Sequence, residues 1–161
     1  MTVVSNTSPI INLAAIGQLD LLRELYGTVY IPEAVYQEIT GQGAGRPGDA
    51  EVRTLAWIIR RPVSDHAYVQ TLRQQVDRGE AEAIALAREL SADWLLIDEL
   101  LGRDVAAQEG VQFTGIIGVL LIAKQSGLLS AIRPSLDALR ANDFWISQRL
   151  YLDILRHVGE I

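Results

Sequence analysis

The segment Val76–Gly110, VDRGEAEAIALARELSADWLLIDELLGRDVAAQEG, constrains the fold more than any other part of the chain. A helix start at Gly79-Glu80 leads into an Ala-rich helix that runs to about Leu90. The short apolar run Trp94-Leu95-Leu96-Ile97 then has the length and composition of a buried strand. It stops at Asp98-Glu99 and gives way to a second helix. Helix, buried strand, helix is the pattern of a parallel α/β sheet. The carboxylates then fall at the C-terminal tip of the strand, where such sheets bind ligands.

The rest of the chain repeats the pattern. Val3-Val4-Ser5 is a β-branched run ending at Asn6, followed by Thr7-Ser8-Pro9 and a helix to Gly17. A short helix through Leu19–Leu25 stops at Gly27, and Thr28–Ile31 is a second strand. Pro32 opens the helix PEAVYQEIT, which carries Glu38 and closes at Gly41. Residues 41–49, GQGAGRPGD, hold four glycines and a proline and read as a mobile surface loop. A phosphate-binding glycine loop would follow a strand and end in Lys-Ser/Thr, and this one does neither. Asp49–Ala56 reads as helix and Trp57–Arg60 as a third strand, and Asp65 is placed to cap a helix through Val76. A weak fifth strand at Val111–Thr114, a helix from Ile116 to Gln125 and two amphipathic helices near 134–141 and 147–158 complete the chain. Alternating strands and helices predict a three-layer α/β/α domain with a central parallel sheet of about five strands. Residues 1–161 are expected to form a single domain, with 142–161 a C-terminal helical extension.

The chain has no cysteine, which excludes disulfides, thiolate metal sites and a cysteine nucleophile. No stretch is apolar enough for a membrane span: the longest, Ile116–Ala123, is short and interrupted by Gly118. With no signal-peptide pattern at the N-terminus, a cytoplasmic location is expected. The net charge of −6 opposes strong sequence-independent binding to nucleic acid. It is compatible with a basic protein partner or with carboxylates gathered around divalent cations.

Asn6, Glu38, Glu80 and Asp98 lie at strand ends or helix starts that flank one sheet edge if strand order reverses around the first strand. An all-oxygen donor set suits Mg²⁺ or Mn²⁺ better than zinc. Spacing alone leaves plainer roles open, with Glu80 a charge favoured by its helix dipole and Glu38 a solvated residue. The two histidines, His66 and His157, share no motif. Trp57, Trp94 and Trp145 have apolar neighbours and read as core or interface residues.

The ordered pieces VVSNTSPIINLA, VYIPEAVYQEI, GEAEAIALARE, LLIDELLGRDVA and GIIGVLLIAKQSGLL are more specific. Together they resemble PIN-domain proteins, in the branch related to the VapC toxins of toxin–antitoxin pairs. The resemblance spans all but about the last twenty residues and implies a small metal-dependent ribonuclease, using Mg²⁺ or Mn²⁺. It assigns Asn6, Glu38, Glu80 and Asp98 to the four acid positions, with Glu99 able to assist or replace Asp98. Glu38, Glu80 and Asp98 would be the catalytic acids. Ser8 and Arg103 fall at positions near metal and substrate, while Glu82 and Asp104 are weaker candidates. Arg60 and Arg61 are further candidates for RNA phosphates.

The departure is Asn6, where the pattern expects Asp: an amide oxygen can ligate a metal but carries no charge. An aspartyl-phosphate phosphotransferase is disfavoured for the same reason, since Asn6 cannot be the nucleophile. The implied partners are RNA and a small antitoxin protein, with a homodimer compatible and no membrane. A second reading stays open: a catalytically weakened PIN-like module that binds an antitoxin or RNA without cleaving it.

Overall fold

A computed structural model describes residues 1–161. Its centre is a five-stranded, wholly parallel sheet built from β1 (Val3–Ser5), β2 (Val29–Ile31), β3 (Ile58–Arg60), β4 (Trp94–Leu96) and β5 (Phe113–Thr114). The order across the sheet is β3-β2-β1-β4-β5. The chain thus builds outward from β1 on one side, then crosses back to build β4 and β5 on the other.

Ten helices cover the two faces: α1 (Thr7–Ala15), α2 (Asp20–Tyr26), α3 (Glu33–Thr40), α4 (Asp49–Thr54), α5 (His66–Leu72), α6 (Arg78–Glu89), α7 (Leu100–Gln108), α8 (Ile116–Gln125), α9 (Arg133–Ala141) and α10 (Gln148–His157). Successive strand residues point to opposite faces, and the core divides accordingly. Val3 and Leu96 join a cluster with Ile10 and Leu13 of α1, Val119 and Leu120 of α8 and Leu155 of α10. Val4, Leu95 and Ile97 join a second cluster with α5, α6 and α7. Because strands buried on both faces have no polar alternation, they read in the sequence as short unbroken apolar runs. No helix is long and apolar enough to cross a membrane.

Helix α6 explains the alanines of GEAEAIALARE. Every residue from Ala81 to Ala87 is buried, with α3 and α5 beside the helix and β1 and β4 beneath it. Small side chains allow that close approach, and Asp77 caps the helix by accepting from the Glu80 N–H at 2.9 Å. The expected cap at Asp65 also forms, accepting from the Tyr68 N–H at 3.0 Å.

Of the three tryptophans expected in the core or at an interface, one lies outside the core. Trp145 is 83% exposed and is no part of the core, whereas Trp57 and Trp94 pack half-buried against it. Residues 41–48 are a succession of hydrogen-bonded turns, with the Gly43 and Arg46 N–H groups bonded to the Glu38 and Gly43 carbonyls.

Candidate active site

The site begins at the reversal of strand order. Ser5 is in register with Leu96, and the Asn6 N–H continues the ladder to the Leu96 carbonyl at 2.9 Å. Asn6 and Asp98 therefore leave neighbouring strand ends at the switch point of the sheet, where flanking loops diverge and leave a crevice. Asn6 precedes α1 in extended backbone and makes no side-chain cap. Its side chain is only 5% exposed.

Two helices carry acids to this edge. Glu80 is the third residue of α6, at a helix start as the sequence suggests. Glu38 is not at a helix start: it is the sixth of eight residues in α3, late enough for the helix to bring it across the edge. The Thr7 hydroxyl donates to Glu38 Oε2 at 2.5 Å. Asn6, Ser8, Glu38, Glu80 and Glu99, with Thr7 and Asp77, line one open depression of about 350 Å³.

Three glycines make room for the three acids, each on a different element. A methyl group on Gly79 would collide with Glu38 Oε1, and one on Gly102 with Glu80 Oε2. At Gly115 it would stand 2.6 Å from Asp98 Oδ1. The glycines of GEAEA, LGRD and TGIIG are thus carboxylate seats, required by close approach rather than by turn geometry.

This crowding shifts protonation. Burial pushes Glu80 up to about 8, helped by a side-chain hydrogen bond with Asp77 and by the charges of Asp77, Glu99 and Glu38. Burial also raises Glu38, against the opposing Thr7 hydrogen bond. Asp98 is raised by burial, opposed by the Ile116 N–H at 2.8 Å, the Ser8 hydroxyl at 3.3 Å and the charge of Arg103. Oxygen donors crowded with too little positive charge suit a hard divalent cation in kind. As the side chains stand, no three acids converge closely enough to grip an ion.

A family model described as the PIN domain matches residues 2–160. The chain belongs to the PIN-domain family. PIN domains are in general nucleases that act on RNA and use divalent metal ions. A search of curated proteins finds no match to the sequence.

Within this PIN domain, the structure brings most of the expected residues together. Asn6, Ser8, Glu38, Glu80 and Glu99 share the depression, but Asp98 does not line it. Asp98 sits beside it, linked through Ser8 and holding the first N–H of α8. Arg103 is likewise off the depression, its guanidinium 5.0 Å from the centre of the Phe113 ring and its Nε buried without a partner. Arg60 is bound to Glu33 and stacked on Tyr36 at 4.1 Å, so α3 already holds it. Both histidines are exposed and Asp104 is a surface charge. Glu82, 8% exposed, accepts from the Ala34 N–H at 3.0 Å and pairs with Arg78 at 2.9 Å. It anchors the start of the helix that carries Glu38.

Thr7, Asp77 and Asn12 are the residues that reading the sequence missed. Asn12 donates to Ser8 Oγ at 2.9 Å and so orients the hydroxyl that reaches Asp98. The spacing of Ser8 and Asn12, one helical turn, is the only local signal that could have found it.

Proposed function

We propose that this chain is a Mg²⁺- or Mn²⁺-dependent ribonuclease of the toxin kind, acting in the cytoplasm and restrained by a small antitoxin protein. The observation that carries the proposal is the crowding of Glu38, Glu80 and Glu99 beside Asn6 at the switch point, with Glu80 pushed up to about 8. The residues that would hold the cation are Asn6, Glu38, Glu80, Asp98 and Glu99. A bound cation supplies Lewis acidity and a water of lowered pKa. Thr7 fixes one oxygen of Glu38 and leaves Oε1 free of a donor, and with that oxygen Glu38 would orient an attacking water. Ser8 and the Ile116 N–H fix Asp98 through both of its oxygens. The carboxyl of Glu80, pushed up to about 8, would exchange its proton near neutrality.

Two observations favour the second reading, a binding module weakened in catalysis. Asn6 brings no charge, and both oxygens of Asp98 are already engaged within the protein. The readings separate in a calorimetric Mn²⁺ titration paired with hydrolysis of a mixed RNA pool. Asn6→Asp should tighten Mn²⁺ binding by roughly tenfold, the scale of ~1–3 kcal/mol for one charge-assisted contact. Glu80→Gln should remove both binding and cleavage. Cleavage that survives Glu80→Gln would take this site out of the reaction. No metal binding and no cleavage in any variant would favour the module.

A further inference from the structure

Beside the acidic depression lies a larger hollow of about 410 Å³, between α1, α3 and the turns of residues 41–48. Thr7, Ile11 and Glu38 line both, so the two adjoin. The hollow falls within the usual size range of small-ligand sites, about 300–1,000 Å³. Its charged lining is one Glu and one Arg, Glu38 and Arg46, whereas its neighbour has four acids and no cation. Arg46 is the only cation lining either hollow, and it is exposed, with neither a salt bridge nor a side-chain hydrogen bond. Asn12, Gln42 and Asn142 add neutral amides, while Ile11 and Ile39 give an apolar wall. Asn12 and Asn142 spend N–H groups on Ser8 and on the Ala138 carbonyl, leaving their side-chain carbonyl oxygens without a donor.

The glycine-rich stretch holds Arg46 in this position. Gly45 and Gly48 take φ of 76° and 101°, values that side chains strongly disfavour. A methyl group on Gly48 would also come within 3.2 Å of Ile11 Cγ2, so the turn lies directly on the apolar wall. The Asp49 carboxylate accepts from the Gly45 N–H at 2.8 Å and from Arg53 at 2.7 Å, closing the turn around Arg46. An acidic protein that cleaves RNA needs somewhere to receive a phosphate that its carboxylates repel. We infer that this hollow seats the nucleotide next to the cleaved bond, with Arg46 on a phosphate of single-stranded RNA and the amides toward its base. The inference rests on the ribonuclease reading and adds to it a substrate subsite. A single strand is required, because only an unstacked base can enter a hollow of this kind.

The test is fluorescence anisotropy with a short labelled single-stranded RNA of mixed sequence, titrated in EDTA so that no metal-dependent cleavage occurs. Arg46→Ala should weaken binding by roughly tenfold. It should also lower the slope of log K against log salt by ~0.7, the counterion share of one phosphate contact. Arg46→Lys should keep the slope. Asn142→Ala should weaken binding several-fold with the slope unchanged, and Arg149→Ala, at a side chain 93% exposed, should change neither. Wild-type affinity and slope in Arg46→Ala would overturn the subsite, as would no measurable binding by the unmodified protein. A parallel Mn²⁺ cleavage assay separates the two ideas. RNA held through Arg46 but never cut sinks the ribonuclease reading and with it the place beside a cleaved bond, and upholds only Arg46 as an RNA phosphate contact. Cutting that proceeds with Arg46→Ala affinity unchanged sinks the subsite alone.

Discussion

At the scale of single residues, the proposed site would depend on glycines as much as on acids. Alanine in place of a helical glycine gains up to about 1 kcal/mol, whereas overpacking at a buried position costs about 1–3 kcal/mol, so the nearest neighbour decides the outcome. At Gly79 that neighbour is the flexible end of Glu38; at Gly102 it includes Ile97 Cδ1, 2.6 Å from the added carbon in the buried layer. Gly79→Ala should leave the urea midpoint nearly unchanged while weakening Mn²⁺ binding. Gly102→Ala should lower both, and equal midpoints for the two variants would contradict this account. Glu80 sets a second expectation, for the metal-free protein. Folding raises its pKa from 4.5 to about 8, so the native state holds the proton more tightly than the unfolded chain. Stability should therefore fall as pH climbs from about 4.5 to about 8 and then level off. Urea midpoints across that range, compared with Glu80→Gln, should converge at low pH and favour the variant at high pH.

At the scale of elements, α3 and α6 form one device, because the proposed site would need Glu38 and Glu80 at a fixed spacing. Glu82 joins them by accepting from the Ala34 N–H at the start of α3, where no helical carbonyl is available. Glu82→Ala strands that buried N–H and should cost about 1–3 kcal/mol in denaturant unfolding. Glu80→Gln at neutral pH should cost nothing or stabilise. Two acids two residues apart on one helix thus have opposite effects. If removing Glu82 proved as harmless as removing Glu80, the anchoring role would be wrong. The sequence showed both glutamates on one helix and made Glu80 the better site candidate, but not what Glu82 would hold. Residues two apart on a helix face differently, and the direction of each depends on where α3 lies.

At the scale of the whole molecule, the last helix is tied into the fold around the site. Leu155 of α10 is fully buried in the cluster that also holds Ile10 and Leu13 of α1, the helix that follows Asn6. Leu155→Ala should cost about 2–5 kcal/mol, while exposed Trp145→Ala should stay within about 0.5 kcal/mol in the same unfolding assay. The sequence by itself determined the alternation of strands and helices, the parallel sheet and the polar ends Asn6, Glu80 and Asp98. These are local matters: a short apolar run, a cap or a change of periodicity is written in neighbouring residues. Only the tertiary structure decided that Asp98 would hold α8 from beside the depression, and that Glu38 would enter it from the late turns of α3. It also decided that Gly79, Gly102 and Gly115 would seat the acids, and that the glycine turns would set Arg46 beside them. Each of those is a distance between elements far apart in the chain, fixed by how layers pack and by no residue pattern within either element.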